Sequence, residues 1–539
     1  MAQPIRPRHP ATRTLADVSA AVGGAGTGLR GHGPFEAGPL EHMDTATDRV
    51  VTGVALDSGA VQPGDLFVAL PGAHGHGADH AADALAAGAV AVLTDEPGRG
   101  RAAATGLPVL VTSDLRRRLG AAAAAVYGTR DLPFPLFGVT GTNGKTSTVH
   151  LLAALMQGIG WRTAMSSTAE RHVAGVQVPS RLTTPEAPEL HAFLATAVEA
   201  GVDGAALEVS AQGLSRHRVD GVRFDVVGFT NLSHDHLDDY ADMDDYLAAK
   251  AALFRTERAR CGVASLDSHA GARIVRTADV PVATITSRAD TSADWHVRVI
   301  EQRADRTRFC LHGPDGRSLT TEVPLLGVHM AANTGLAIVM LVEAGVPFDA
   351  LADALGPRLD VVIPGRMSDA SAPTGPRVFV DFAHTPDAFA KSLAAVRAFT
   401  RGPVVIVLGA DGDRDPSKRS AMGHAAATGA DTVIVADHHP RFEDPDPIRA
   451  AILAGARAAG AHDVVEIADP ARAIRRAIAA AGASGAVYWA GPGLTEYRDI
   501  RGEHVPYSSF RDARAALAEA GYGDEPAACA DHRREDRDR

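Results

Sequence analysis

Cysteine is scarce: Cys261, Cys310 and Cys529 are the only three in 539 residues. Three thiols fit neither a disulfide framework nor a zinc site. Lysine is almost as rare, because only Lys145, Lys250, Lys391 and Lys418 stand among 53 lysines and arginines. A position that keeps lysine against such a bias is a candidate for a place that needs a small primary amine, since a guanidinium neither loses its proton nor forms a covalent amine adduct. Lys391, in a helical-looking stretch, reads as chance. No uninterrupted apolar run approaches the ~18 residues of a membrane span. The opening residues lack an apolar h-region, so the expectation is a cytoplasmic protein without a secretory signal or a membrane partner. A cationic excess is also missing: the net charge is −12, which disfavours nonspecific binding to nucleic acid or anionic membranes.

What is present is an ordinary globular composition, 45% hydrophobic and 22% charged. At about 150 residues per domain the length allows three or four domains. Residues 1–48 are rich in Gly, Pro and Ala without periodicity and read as a flexible leader. A small α/β unit spans 49–132. The longest block, 133–357, alternates helical stretches with the apolar runs LFGVT, GAALEVS, DVVGFTN and CGVASLD. A third block, 358–522, repeats the alternation with RVFVDFA, PVVIVLGA, DTVIVAD and AVYWAG, and 523–539 is a charged tail. Such alternation predicts an α/β fold of largely parallel sheets with helices on both faces.

The sharpest local signal is LFGVTGTNGKTST, residues 136–148, which leads from a strand through a Gly-rich turn into a helix. The backbone N–H groups of such a turn and the helix N-terminus cradle phosphate. Lys145 would reach the outer phosphates, and the Thr146 hydroxyl would hold magnesium. Val139 stands where the first glycine of the general P-loop pattern falls. Glu208 and His236 lie at the ends of neighbouring strands of the same block, facing the crevice where ligands bind in such sheets, and are plausible magnesium ligands. Taken singly, His236 also reads as a solvated loop histidine or a helix cap. Lys250, on a helix with Tyr246, Leu247 and Leu253 on its buried face, reads as a lysine snorkelling to water.

The ordered motifs TGTNGKTS, TTPE, EVSAQGL with HRV, TNLSHDHLD, AAKAALF, PGRM, DFAHTPD and GDRDPSKR closely resemble the Mur ligases, and within them the MurE branch, over roughly Val50 to Gly521. The resemblance implies an N-terminal UDP-sugar-binding domain, a central P-loop ATPase-like domain and a C-terminal Rossmann-like domain that binds the amino acid. It implies an ATP-dependent ligase that adds an amino acid to UDP-N-acetylmuramoyl-L-alanyl-D-glutamate in peptidoglycan synthesis. The substrate carboxylate takes the γ-phosphoryl group, and the incoming amine attacks the acyl phosphate, with release of ADP and phosphate. By position Thr146, Glu208 and His236 match the ligands of two Mg2+ ions, and Lys250 matches a carbamylated lysine that completes the metal site. Lys145, Glu208, His236 and Lys250 are then the catalytic set, and the snorkelling reading of Lys250 gives way.

Carried over in the same way, Gly141, Thr142, Asn143, Gly144, Lys145, Thr146, Ser147, Asn333, Arg366 and Asp381 match ATP contacts. Leu56, Ser58, Ala73, His74, Gly75, Thr183, Thr184, Ser210, Arg216 and Arg218 match positions that bind the UDP-muramoyl peptide. Arg414, His438, His439, Arg441, Gly491 and Thr495 match the amino-acid pocket. The partners are thus small molecules, and a monomer is expected.

The departures from the pattern cluster in that pocket. His438 replaces an Asp and Thr495 a Glu, the acidic pair that meets the distal ammonium of a diamino acid. Losing those acceptors penalises diaminopimelate. The expectation is an acceptor with a carboxylate and no second ammonium, or one whose far end contacts His438 and His439. Adjacent histidines on a strand would face opposite sides, which argues against a shared metal. The alternatives are a paralogue with a different carboxylate or amino acid in specialised metabolism, or a nucleotide-binding relative without turnover.

Overall fold

The computed structural model describes residues 5–23, 48–72, 75–178, 182–356, 358–461 and 463–523. Its largest sheet has eleven strands around Leu136–Thr140, which pairs in parallel with Gly204–Glu208 on one side and Phe224–Phe229 on the other. Parallel pairing continues outward to Thr163–Ser166 in one direction and through Ala259–Ser265 and Val282–Thr286 to Trp295–Gln302 in the other. Antiparallel strands close both edges. All five residues of Leu136–Thr140 are buried, as a strand covered on both faces requires.

The two faces can be read residue by residue, because successive side chains on a strand point opposite ways. Phe137 and Val139 pack with Val149, Leu152 and Met156 of the helix Lys145–Gly158 and with Leu336 and Met340 of the helix Val328–Glu343. Leu136 turns to the other face and meets Leu190, Phe193 and Leu194 of the helix Ala187–Glu199. At roughly 1.5–3 kcal/mol per buried large apolar side chain, these two layers hold the central strand and therefore the turn that follows it.

A six-stranded sheet repeats the plan with the order Ser368–Asp369, Arg377–Asp381, Ala486–Ala490, Val404–Leu408, Thr432–Val435 and Asp463–Glu466, parallel except at the first strand. The four apolar runs of the third block are its four inner strands. A four-stranded parallel sheet of Gly53–Ala55, Asp65–Val68, Ala91–Thr94 and Val109–Val111 lies toward the N-terminus.

Of the leader expected over 1–48, residues 5–23 are described and are structured, while 1–4 and 24–47 lie outside the described residues. Arg13–Thr14 pairs with Val50–Val51, and Leu15–Gly23 is a helix whose Leu15, Val18 and Val22 are buried with Val54, Leu66 and Leu119. Arg6 grips Asp65 with two hydrogen bonds of 2.5 and 2.6 Å, and Asp65 is fully buried. Proline and glycine around this helix masked an apolar stripe of only three residues, too short to stand out as periodicity. No described helix is long and apolar enough to cross a membrane.

Candidate functional site

The carboxyl ends of the central strands open into a cleft of about 540 Å³ that is also lined by loops of the six-stranded sheet. This is the size of a small-molecule site. Its floor is the turn after Leu136–Thr140. Gly141 has φ +150° and a Cβ there would lie 1.9 Å from Thr230 Oγ1, while Gly144 has φ +85° and a Cβ would crowd the Asn333 amide. Only glycine fits either position, so the turn can present its backbone with Lys145 as the first helical residue.

In the cleft the Lys145 ammonium donates to the carbonyls of Gly141 at 3.0 Å and Thr142 at 2.8 Å, and lies 4.0 Å from Glu208 Oε1. Burial lowers its pKa, against the raising charges of Glu208 and Asp235. The Thr146 hydroxyl donates to Glu208 Oε2 at 3.0 Å, and that oxygen also accepts from the Thr168 N–H and hydroxyl. Arg366, from the far block, donates to the same Thr146 oxygen at 3.0 Å and lies over the Phe382 ring. Asn143 reaches across as well, donating to Thr385 and Asp387. The cleft is therefore a closed junction of two sheets.

Lys250 is 1% exposed, which overturns the snorkelling reading. Its ammonium donates to Gly141 O at 2.9 Å and sits 4.1 Å above the Tyr246 ring, so two lysines share one carbonyl. Burial, and then the charge of Lys145, push its pKa well below the usual lysine range. His236 lines the cleft with its backbone in the left-handed region, φ +59°. Burial lowers its pKa to about 4 in spite of Asp235, so the imidazole is neutral at pH 7.

Most of the residues singled out from sequence meet here. Thr142, Asn143, Gly144, Ser147, Thr183, Ser210, Arg218, Asn333 and Asp381 line the cleft, as do Arg414, His438, His439, Arg441, Gly491 and Thr495. Thr184 is buried behind it, donating to Glu208 O. Arg216 instead pairs with Asp239. Leu56, Ser58 and Gly75 belong to the first block and do not line the cleft, while Ala73 and His74 lie outside the described residues. Lys391, read as chance, also lines it, bonded to Asp387 at 2.8 Å, so all four lysines of the chain converge on one site.

Sequence reasoning missed Asp235, Lys418, Thr168 and Asp411. The scarcity of lysine was a signal for Lys418, and the SHDH run was one for Asp235. Asp411 stands beside His438, at whose position the expected acidic residue is missing. Its Oδ1 lies 2.7 Å from His438 Nδ1 and its Oδ2 accepts from Arg441 at 3.1 Å. Although burial would raise its carboxyl, the His438 hydrogen bond and the charges of His438, His439 and Arg441 hold it well below the usual range. The two histidines do not face opposite sides, because the strand has ended at Val435 and their rings lie 4.1 Å apart. Potential ligand atoms of Asp411, His438 and His439 come within 4.8 Å of one another. Yet His439 Nδ1 accepts the Asp499 N–H and His438 Nδ1 is committed to Asp411, which leaves few lone pairs for an ion.

Comparison with known proteins places this geometry. Residues 50–127 match the Mur ligase family catalytic domain, 139–341 the Mur ligase middle domain, and 365–493 the Mur ligase glutamate ligase domain. A UDP-N-acetylmuramyl-tripeptide synthetase of Leifsonia xyli is 53% identical over 521 residues, 96% of this chain and 98% of that protein. A UDP-N-acetylmuramoyl-L-alanyl-D-glutamate–2,6-diaminopimelate ligase of Streptomyces avermitilis is 40% identical over 520 residues, again covering 96% and 98%. A solved structure of a ligase of that second name superposes with a TM-score of 0.63 at 28% identity, covering 95% of this chain and 100% of the other. With three matched segments in order and identity above one half along nearly its full length, this chain belongs to the Mur ligase family.

Proposed function

We propose that this protein uses ATP to join an amino acid to the D-glutamate carboxylate of UDP-N-acetylmuramoyl-L-alanyl-D-glutamate. The observation that carries the reading is the convergence of Lys145 and Thr146, Glu208, His236 and Arg366, from four separate stretches of chain, on one cleft. Phosphoryl transfer needs charge neutralisation and alignment more than covalent help. Lys145 and Arg366 meet the phosphates, with Gly141, Thr142, Asn143, Gly144, Ser147, Asn333 and Asp381 holding the rest of the nucleotide. The carboxylate takes the γ-phosphoryl group, the amine of the amino acid attacks the acyl phosphate, and ADP and phosphate leave.

The donor set suits magnesium. Glu208 and the Thr146 hydroxyl are hard oxygen donors 3.0 Å apart, and a neutral His236 offers a lone pair. Two Mg2+ ions held by Thr146, Glu208, His236 and a carbamylated Lys250 would supply charge neutralisation of the transferring phosphoryl group. Lys250 fits its part, since burial favours the uncharged amine that adds to carbon dioxide, and no carboxylate among the described residues lies within ion-pair distance of it. Thr183, Thr184, Ser210, Arg216 and Arg218 hold the muramoyl peptide, and Leu56, Ser58, Ala73, His74 and Gly75 the UDP end. The same reading makes the enzyme a cytoplasmic monomer acting on small molecules.

Arg414, His438, His439, Arg441, Gly491 and Thr495 form the amino-acid pocket. Both oxygens of Asp411 are already engaged by His438 and Arg441, so Asp411 does not replace the missing acidic pair at a distal ammonium. This favours an acceptor other than diaminopimelate. The test is ADP release with the UDP-muramoyl dipeptide against a panel of both diaminopimelate isomers, lysine, and neutral and acidic amino acids. Turnover with a member of the panel supports the ligase reading, and exclusive use of diaminopimelate or lysine refutes the reading of the pocket. Silence across the panel with ATP still bound refutes the assigned carboxylate substrate.

A further inference from the structure

Lys418 lies 183 residues from Asp235 in sequence and 2.7 Å from its Oδ1. Both residues are buried, at 7% and 3% exposure. The same Oδ1 accepts the N–H of His236 at 3.0 Å. The other oxygen lies 3.6 Å from His236 Nε2 and 3.6 Å from His384 Nε2. Asp235 thus holds its neighbour at both ends, by the backbone N–H and facing the ring, while His236 occupies the left-handed region that is uncommon for a residue with a side chain. A buried carboxylate keeps such a geometry only if its charge is met. Lys418 meets it, and Lys418 sits on the six-stranded block, just ahead of the helix Arg419–Gly429. A parallel contact, His234 Nε2 to Ser417 Oγ at 3.0 Å, joins the same two loops.

We propose that Lys418 is a positioning residue: docking of the third block sets its ammonium against Asp235, and Asp235 in turn fixes the backbone and ring of His236. The inference rests on the ligase reading for its kinetic consequence but not for its structural one. It accounts for a lysine where this chain otherwise writes arginine, because the compact ammonium meets Asp235 in a slot of almost no exposure where the wider, planar guanidinium needs more room. His236 and Lys418 then act as one unit only when the two blocks are together.

The experiment uses the full chain with Lys418→Met, Lys418→Arg, Asp235→Asn and the double variant Asp235→Asn/Lys418→Met. Thermal melting establishes that each is folded. The expected result for Lys418→Met is a kcat at least about tenfold lower with KM for ATP within about threefold, and a double variant no worse than the poorer single one. Lys418→Arg, which keeps the charge, shows the same loss and decides the matter if Lys418→Met does not fold. Independently of turnover, the 15N imidazole resonances of His236, assigned by His236→Gln, move in both Lys418 variants. Unshifted His236 resonances, kcat within about twofold of the parent, or multiplicative effects in the double variant would overturn the proposal. If the parent turns over no amino acid while the resonances still shift, the function is misassigned and the positioning role stands.

Discussion

Arg366 Nη2 lies 3.0 Å from Thr146 Oγ1, although 220 residues separate the two in sequence. One hydroxyl therefore donates to Glu208 of the central sheet while accepting from a guanidinium of the third block. Charge-assisted bonds of this kind fix orientation as well as energy. Replacing Arg366 with Ala removes the cation and the cross-block bond but leaves the central sheet intact. We expect kcat/KM to fall by about 10²–10³, as for loss of one preorganised donor to developing charge. Steady-state ADP release, with circular dichroism to show an unchanged fold, checks this, and a drop below about fivefold contradicts it.

Lys250→Arg tests the need for a primary amine. The guanidinium keeps a positive charge but cannot be carbamylated, and it must enter a slot that is 1% exposed beneath the P-loop turn. Activity is expected to drop by more than about 10² with nucleotide affinity changed far less. Incorporation of labelled carbon dioxide, followed by 13C NMR, should give a carbamate signal in the parent that is missing from the variant. A fully active Lys250→Arg protein rules the carbamate out.

Asp65→Ala tests the structured N-terminus. The variant leaves the largely buried Arg6 side chain beside an emptied acceptor and also frees the Gln62 N–H. Breaking a buried pair from one side costs about 3–5 kcal/mol. We expect the unfolding free energy of the first urea transition to fall by that amount, moving its midpoint to lower denaturant, while the remaining blocks unfold as before. An unchanged first transition means that Arg6 is not structurally required.

The pH dependence of stability follows from two histidines whose pKa burial lowers, His191 and the cleft-lining His329. Burial lowers His191 to about 4, with Nδ1 2.5 Å from Thr129 Oγ1 and Nε2 3.1 Å from Asp220 O. His329 is lowered to about 4 as well, by burial and then by the charge of Lys391. Both are neutral in the folded protein, whereas the unfolded chain takes up a proton on each near 6.5. Their contribution is thus complete above pH 6.5 and is lost as the pH falls toward 4, at up to roughly 3 kcal/mol each. Thermal unfolding between pH 7.5 and 4.5 should show a falling midpoint over that window, and His191→Gln should flatten the slope. A midpoint that rises on acidification contradicts the sign.

Much of the fold was legible in the chain because it is written locally. The runs LFGVT, VVIVL and AVYWA are mostly apolar and buried along their whole length, and a strand covered on both faces has no solvent side to impose an alternating pattern. The turn TGTNGKT was legible because two of its glycines hold conformations and spaces that no side chain tolerates. The helix Leu15–Gly23 was not, since its stability comes from Val54, Leu66 and Leu119, which follow it at a distance.

By itself, then, the sequence determined the α/β layering, the phosphate-type turn and the set of rare lysines, all of which depend on residue type and short spacing. Only the tertiary structure decided what those lysines do. Lys250 reads as a snorkelling side chain until Tyr246 and Gly141 O are found around its ammonium. Asp411 is one acid among many until His438 and Arg441 take its two oxygens. Lys418 reaches Asp235 only because two sheets meet at their carboxyl edges. The physical reason is that burial and charge pairing belong to no single residue: they depend on which distant segments exclude water together, and that is settled when the blocks pack.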